Sequence, residues 1–407
     1  MINEAPEGGR AAEAFQSLFS HTDGKIRDEY DDVMINLMQW PRYLVNNKIL
    51  KKSGFFFLTY ILLISAFCTF VVITTHQENQ LISQYLVFGA GSLIAVASYI
   101  TLYAKHHEFV KIYWDIFPNL WPLRCAGEGA FNHLRQTGTF AKYFMYLMTI
   151  LSAVTATLGL PWFGDEYDLY IPIRCFEDHL DKWWSVIFST IFYINFYHAG
   201  LTIISNVFVM MYLALHLYGQ LFLLEQQLAK LGQDSRRNDL DNANYDKEYQ
   251  VWIRGNLIMF IQHHRILQDF LNKINELIYF PILYFSFSAV TAGVALVLFP
   301  TNSCQSIIRV VFTAILTVLL TATFCFLGQL VENESNAIFY AVSNLPWYLW
   351  TVKNQKLVLL FLLNTEQSMI LSSSGVITVN YQLLIRICQQ VYSAMTFLLN
   401  VDPERFF

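Results

Sequence analysis

VITVNYQLLIRICQQVYSAMTFLLN, residues 376–400, decides how the rest of the chain is read. The stretch is long enough to cross a bilayer and apolar over its second half. Its first half carries Asn380, Gln382, Arg386, Gln389 and Gln390. Polar groups inside a bilayer are expensive, so they face protein or water rather than lipid. A helix with one wet half and one dry half has two readings. It is an ordinary bundle helix whose polar groups satisfy neighbours, or it is the wall of a conduit with a constriction. The stretch alone leaves both open.

Composition places this helix in a membrane protein. The 407 residues are 55% hydrophobic and 16% aromatic but only 14% charged, with a mean hydropathy of +0.37. A soluble domain carries about 25% charged residues. Six more apolar runs precede the last one, at 54–75, 81–104, 143–162, 183–217, 277–299 and 306–327. Each is long enough for a hydrocarbon core of about 30 Å. The fourth is longer than a bilayer needs and is expected to tilt or project. The stretch 232–249, inside the long hydrophilic connection 219–276, reads as a loop between two helical arms. Leu357 to Leu363 is too short to span and suits a helix outside the bilayer. Its apolar face needs a partner, most economically within the same chain. The first fifty residues are polar, with an amphipathic helix expected from Asp28 towards Pro41, and they hold no apolar signal core. The first membrane helix is therefore expected to act as its own insertion signal.

Charge sets the expected orientation. Loops assigned to the N-terminal side carry 21 of the 26 Lys and Arg. The opposite side carries Arg174, Lys182, Arg309 and Arg405, and Arg386 lies in the last helix. Arg309 sits at a helix start, where it is expected to snorkel outward. By the positive-inside rule the N-terminus is cytoplasmic and the C-terminus extracellular. The fold class is therefore an all-α membrane protein: a seven-transmembrane helix bundle with a cytoplasmic helical anchor. Its segments are a cytoplasmic N-terminal part (1–53), helices 1–6 with their loops (54–327), the anchor (328–375), helix 7 (376–400) and an extracellular tail (401–407). This is the opposite orientation to a G-protein-coupled receptor, and the DRY and NPxxY signatures of that class are missing.

Chemistry is notably absent. There is no P-loop, GxSxG, HExxH or complete GxGxxG, so no enzyme reading survives and no cofactor or metal is implied. The adjacent pairs His106-His107 and His263-His264 point about 100° apart on a helix and cannot readily share a metal. Both pairs are expected at solvated cytoplasmic margins. The sequon Asn333-Glu334-Ser335 falls on the expected cytoplasmic side, where it would be unused. The net charge of −5 gives no sign of nucleic-acid binding. Cys175 and Cys304 both lie in expected outer loops, where a disulfide is chemically permitted.

Span number, expected orientation, length and the polar-then-apolar last helix together resemble the insect odorant receptor family. The resemblance is carried by Gly328-Gln329, by NLPWY (344–348), by TEQSMIL (365–371), by VYSAMTFLL (391–399) and by the stretch 262–270. The chain looks like an odorant-tuned subunit, since the long fourth–fifth loop of the shared co-receptor is missing. The resemblance implies a ligand-gated, non-selective cation channel in the plasma membrane of a sensory neuron dendrite. It also implies a heterotetramer with co-receptor subunits around a pore lined by the seventh helices. Aligned on Tyr392, the gate positions are Met395 and Leu399. Leu398 stands where the co-receptor and gustatory receptors carry Gln. Asn380, Arg386 and Gln390 would face the inner vestibule, with Arg386 alternatively paired to a carboxylate such as Glu334. The implied ligand is a small volatile molecule in the outer half of the bundle. Candidate contacts are Gln84, Tyr85 and Phe88; Ser152, Thr155 and Leu158; Phe192, Tyr193, Phe196 and Tyr197; and Ile307, Ile308 and Val311. With 34 Phe and 23 Tyr in the chain, most aromatics are simply packing. A gustatory-type receptor, a transporter and a scaffold without a pore are the alternatives. A transporter commonly shows internal repeats, and none is visible here.

Overall fold

The structure is a computed structural model that describes residues 48–74, 79–162, 167, 170–237, 247–298, 304–373, 375 and 377–401. The expected amphipathic helix near the N-terminus and the tail beyond 401 lie outside the described residues. The chain runs α1 (Lys48–Thr74), α2 (Asn79–Tyr99, continued by a π-helical turn Ile100–Ala104), α3 (His106–Ile116), α4 (Glu128–Leu158), α5 (Ile171–His179), α6 (Lys182–Arg237), α7 (Lys247–Leu298), α8 (Cys304–Ser343), α9 (Val352–Thr365) and α10 (Tyr381–Val401). Strands β1 (Ser372–Ser373) and β2 (Ile377–Thr378) pair antiparallel just before α10. Among the described residues four helices are long and apolar enough to cross a membrane, namely α1, α4, α6 and α8. The described helices form an all-α bundle.

The two arms of the expected cytoplasmic connection are not separate elements. They continue the helices that cross the membrane. Helix α6 is a single helix of 56 residues, and α7 one of 52. At 1.5 Å per residue α6 is about 84 Å long, so more than half of it stands outside a 30 Å core. Helix α4 likewise begins at Glu128, fifteen residues before the apolar run that marks it in the sequence. One core runs along these long helices, from Ile204 and Phe208 through Leu217, Leu224 and Leu231 on α6. It meets Ile253, Leu267 and Ile278 on α7 and Val331, Ile338 and Val342 on α8. Helix α9 seats Val358 and Phe361 against the same core. The expected in-chain partner for the Leu357 to Leu363 run is thus present, but for one face only.

Two histidine expectations change. His263 and His264 are buried, not solvated. His263 stacks on Trp121 with ring centroids 3.9 Å apart, and His264 meets Phe361 edge-on at 5.5 Å. Gln220 holds Trp121 from behind: its amide oxygen accepts from the Trp121 N–H at 3.0 Å and its amide nitrogen donates to the Trp121 carbonyl at 2.8 Å. Polar side chains within the apolar run of α6 are also paired. His198 hydrogen-bonds Tyr99 at 2.8 Å and Ser53 at 3.2 Å, and Asn206 donates to the Ser98 carbonyl at 2.8 Å. These bonds fasten α6 to α1 and α2 where an unpaired polar group would be costly.

Candidate ligand-binding site and pore helix

The aromatic side chains expected to surround a ligand gather on one face of α6 near its start. Phe192 is the hub. It lies 6.3 Å from Phe88 on α2, 5.0 Å from Phe196 and 6.0 Å from Tyr193, all between ring centroids. The residue just before α5, Tyr170, closes the group at 5.9 Å from Phe192 and 5.5 Å from Phe196. Ring pairs at these distances are favourable edge or offset contacts and leave an apolar wall. Polar tips lie beside it on α4. Tyr197 shares a 2.9 Å hydrogen bond with Thr157, and Ser152 is buried against α6. Gly200 permits that approach, because a Cβ there would stand 2.9 Å from the Ser152 hydroxyl. The Thr155 hydroxyl donates to the Leu151 carbonyl of its own helix.

Of the expected ligand residues, the structure brings together Phe88, Phe192, Tyr193 and Phe196, with Ser152 and Tyr197 on the α4 side. Ile308 and Val311 stay 43% and 46% exposed instead of joining the cluster. The side chains of Gln84, Tyr85 and Ile307 lie outside the described residues. Tyr170 and Thr157 were not singled out from the sequence. Tyr170 had a local signal: Pro172 in the next helical turn marks a helix start, where proline's missing N–H costs nothing.

Arg309 does not snorkel outward. It is buried, and its guanidinium donates to the carbonyls of Leu158 at 2.7 Å and Leu160 at 3.0 Å. These carbonyls close the C-terminal end of α4, where the helix dipole also favours a cation. The contact Leu158 makes here is thus with Arg309, through its backbone carbonyl.

The last helix is shorter than its sequence pattern. Residues 377–378 form β2, and Gly375 turns the chain with φ +70°. Helix α10 starts at Tyr381. Asn380 is buried and caps it, its side-chain oxygen accepting from the Leu383 N–H at 3.3 Å and its amide donating to Glu332 at the same distance. Gly328 and Gln329 fix this start from α8. A Cβ on Gly328 would overlap the Val379 carbonyl, and the Gln329 amide oxygen accepts from the Tyr381 N–H at 3.3 Å. Ser335 holds the preceding segment by accepting from the Met369 N–H at 2.8 Å.

Beyond the cap, Gln382, Arg386, Gln389, Gln390, Ser393 and Thr396 are all exposed. Gln382, Arg386, Gln389, Ser393 and Thr396 recur every three to four residues, so they form one stripe along the helix. Ser393 and Thr396 extend it past the expected polar half. No ion pair joins Arg386 to Glu334 among the described residues. Burial, with Glu225 nearby, instead raises the Glu334 carboxyl to about 7, on the part of α8 beyond its apolar stretch. Positions 395, 398 and 399 lie on α10, but their side chains are outside the described residues.

Comparison with known proteins agrees with this architecture. A family model described as 7tm Odorant receptor matches residues 78–392. No curated protein matches the chain. Among solved structures, the insect olfactory receptor OR5 from Machilis hrabei superposes with a TM-score of 0.66 at 13% identity, covering 96% of this chain and 100% of that one. The same receptor in complex with eugenol gives a TM-score of 0.63 at 14% identity, covering 91% and 97%. At such identity the likeness is one of fold.

Proposed function

Because the chain belongs to the 7tm odorant receptor family, we propose that it is an odorant-gated, non-selective cation channel subunit of the plasma membrane. It binds a small volatile ligand in the outer half of the bundle and opens a pore lined by α10. It works in a heterotetramer with co-receptor subunits, its N-terminus cytoplasmic and its C-terminus extracellular. The observation that carries the pore reading is the exposed polar stripe on α10. Five polar side chains on one face of a membrane helix are too costly to leave in lipid. A water-filled path or a neighbouring subunit is the environment that satisfies them.

The ligand reading rests on the wall formed by Phe88, Tyr170, Phe192, Tyr193 and Phe196, with hydroxyls at Ser152 and Tyr197 for orientation. Mostly apolar walls with one or two placed polar groups suit small organic ligands. The related receptor solved in complex with eugenol, a small aromatic molecule, supports this chemistry. Ligand between α2, α4 and α6 would shift α7 and α8, which carry α10. At the outer end Met395, Leu398 and Leu399 form the apolar gate, which closes by excluding water. Arg386 and Gln390 face the inner vestibule beneath it, and Asn380 sets where that vestibule begins.

The test is whole-cell recording during exposure to a volatile panel that includes eugenol. Cells express this chain alone, a co-receptor alone, or both. Evoked cation current with both, and not with the co-receptor alone, is the expected result. Evoked current that needs a G protein, or substrate uptake without current, would sink the channel reading.

A further inference from the structure

Cys68 lies on α1, six residues before that helix ends at Thr74, and Cys175 lies on the short helix α5. The two are 0% and 1% exposed and belong to one buried cluster with Tyr60, Ile64, Ile171 and Phe176. Their sequence neighbours are already in register. Phe67 stacks on Phe176 with ring planes 10° apart and meets the His179 ring edge-on. The two thiols lie in this same cluster, and both are free in the structure. The cluster offers few other partners, since the Tyr60 hydroxyl is spent on the Phe188 carbonyl at 2.6 Å. Buried cysteines can act merely as small apolar side chains. Two things argue for more here. The thiols are brought into one cluster across 107 residues of chain, and they sit on the side opposite the 21 Lys and Arg, which opens to an oxidising compartment.

We infer that Cys68 and Cys175 are joined in the mature receptor by a structural disulfide that ties α5 to α1. This rests on the outward placement of α5 in the proposed orientation. The bond is made by exchange with an incoming protein disulfide in the secretory pathway. One cysteine thiolate attacks a sulfur of that disulfide and releases one donor thiol, leaving a mixed disulfide. The second thiolate then displaces the other donor sulfur. The Cys68–Cys175 S–S bond forms, the donor S–S bond breaks, and two electrons and two protons leave on the donor as a dithiol. The partner is Cys68, not the Cys304 that loop position alone allows. The tether has a target. Tyr170 at the head of α5 packs on Phe192 and Phe196, so the bond anchors one wall of the ligand site to α1.

Differential alkylation tests this. Receptor expressed in insect cells carries an epitope after Phe407. Membranes are dissolved in denaturant with one maleimide, then reduced and labelled with an isotopically heavier one, and the peptides are weighed. Cys68 and Cys175 should carry the heavy label and appear as a linked peptide before reduction. Cys175→Ser should move the light label onto Cys68. Light label on both cysteines of the unaltered receptor overturns the bond, as does a linked Cys175–Cys304 peptide. Because labelling follows denaturation, a poorly folded variant still reads out. The epitope separates the two readings. Staining on intact cells with free thiols refutes the disulfide alone, whereas staining only after permeabilisation refutes the orientation.

Discussion

His263 is held where its charge cannot be. It is buried under Trp121, and neither ring nitrogen has a hydrogen-bond partner among the described residues. Burial, with His264 beside it, lowers its pKa from the usual 6.5 to about 3. The folded chain therefore keeps the ring neutral over a range where the unfolded chain protonates it. A base lowered in the fold gives stability that is full above pH 6.5 and is lost as pH falls from 6.5 towards 3. Glu334 works the other way, its stabilising contribution declining as pH rises from its ordinary range towards 7. The clean measurement is consequently a difference. Thermal unfolding of detergent-purified receptor should show His263→Phe gaining on the unaltered chain as pH drops from 7 to 4.5. A gap that stays constant with pH would show that His263 does not titrate this way. Arg309 gives a second residue-scale expectation. Hydrogen bonds from a charged donor contribute about 1.5–3 kcal/mol each, and Arg309 makes two to the end of α4. Arg309→Met should cost about 3–6 kcal/mol. Arg309→Lys should recover only part, because an ammonium lacks the fixed planar fork of the guanidinium and is more strongly hydrated. An unchanged melting temperature in Arg309→Met would remove the cap from the account.

Helix α10 raises a question of face. Its polar stripe runs through Ser393 and Thr396, while the gate expected from family alignment is Met395 and Leu399. At roughly 100° per residue, position 395 stands about 100–160° round the helix from those two. One of the two faces, not both, meets the pore axis at a given moment. Cysteine substitution resolves it. With the stripe towards the pore, Ser393→Cys and Thr396→Cys should react quickly with a charged methanethiosulfonate during ligand exposure and lose most of the evoked current. Met395→Cys should then react slowly. The reverse order would place the apolar face on the axis and the stripe against a neighbouring subunit. This element also marks how far the sequence could be read. The apolar runs at 54–75 and 183–217 identified α1 and α6, because twenty apolar residues have few other uses. The arms of α6 and α7 were invisible as continuations, since a helix that leaves the bilayer loses its hydropathy signal without losing its hydrogen bonds. Residues 377–378, the second strand of the hairpin, were read as the start of the last helix because β-branched residues beside an apolar run look alike in either state. Gly328 was noticed as a motif, but its reason, the Val379 backbone lying against it, is a tertiary contact.

On the scale of the whole molecule, what the chain leaves uncovered is as informative as what it buries. Helix α9 buries Asn354, Val358, Phe361 and Thr365 on one face. On the other it exposes Leu359, Leu360 and Leu363 at 57%, 51% and 60%, with Tyr348 at 60% nearby. Clustered exposed leucines of this kind mark a contact rather than a solvated face. This segment lies beyond the apolar stretch of α8, so lipid is not the natural cover. In the proposed heterotetramer a neighbouring subunit is. The candidate ligand site was half legible: aromatic residues could be assigned to the outer half by topology, but only folding shows that Phe192 is the hub and that Ile308 and Val311 stand apart. Burying a leucine contributes about 1.5–3 kcal/mol, and the expected ring repeats the contact around its axis. Leu359→Asp with Leu363→Asp should therefore abolish co-purification with the co-receptor, while the intact Val358 and Phe361 face keeps the subunit folded. Val358→Asp is the contrast, because it strikes the in-chain face and should lower the yield of folded protein outright. Co-purification of the double aspartate variant at the level of the unaltered chain would mean that the leucine face is not what holds the subunits together.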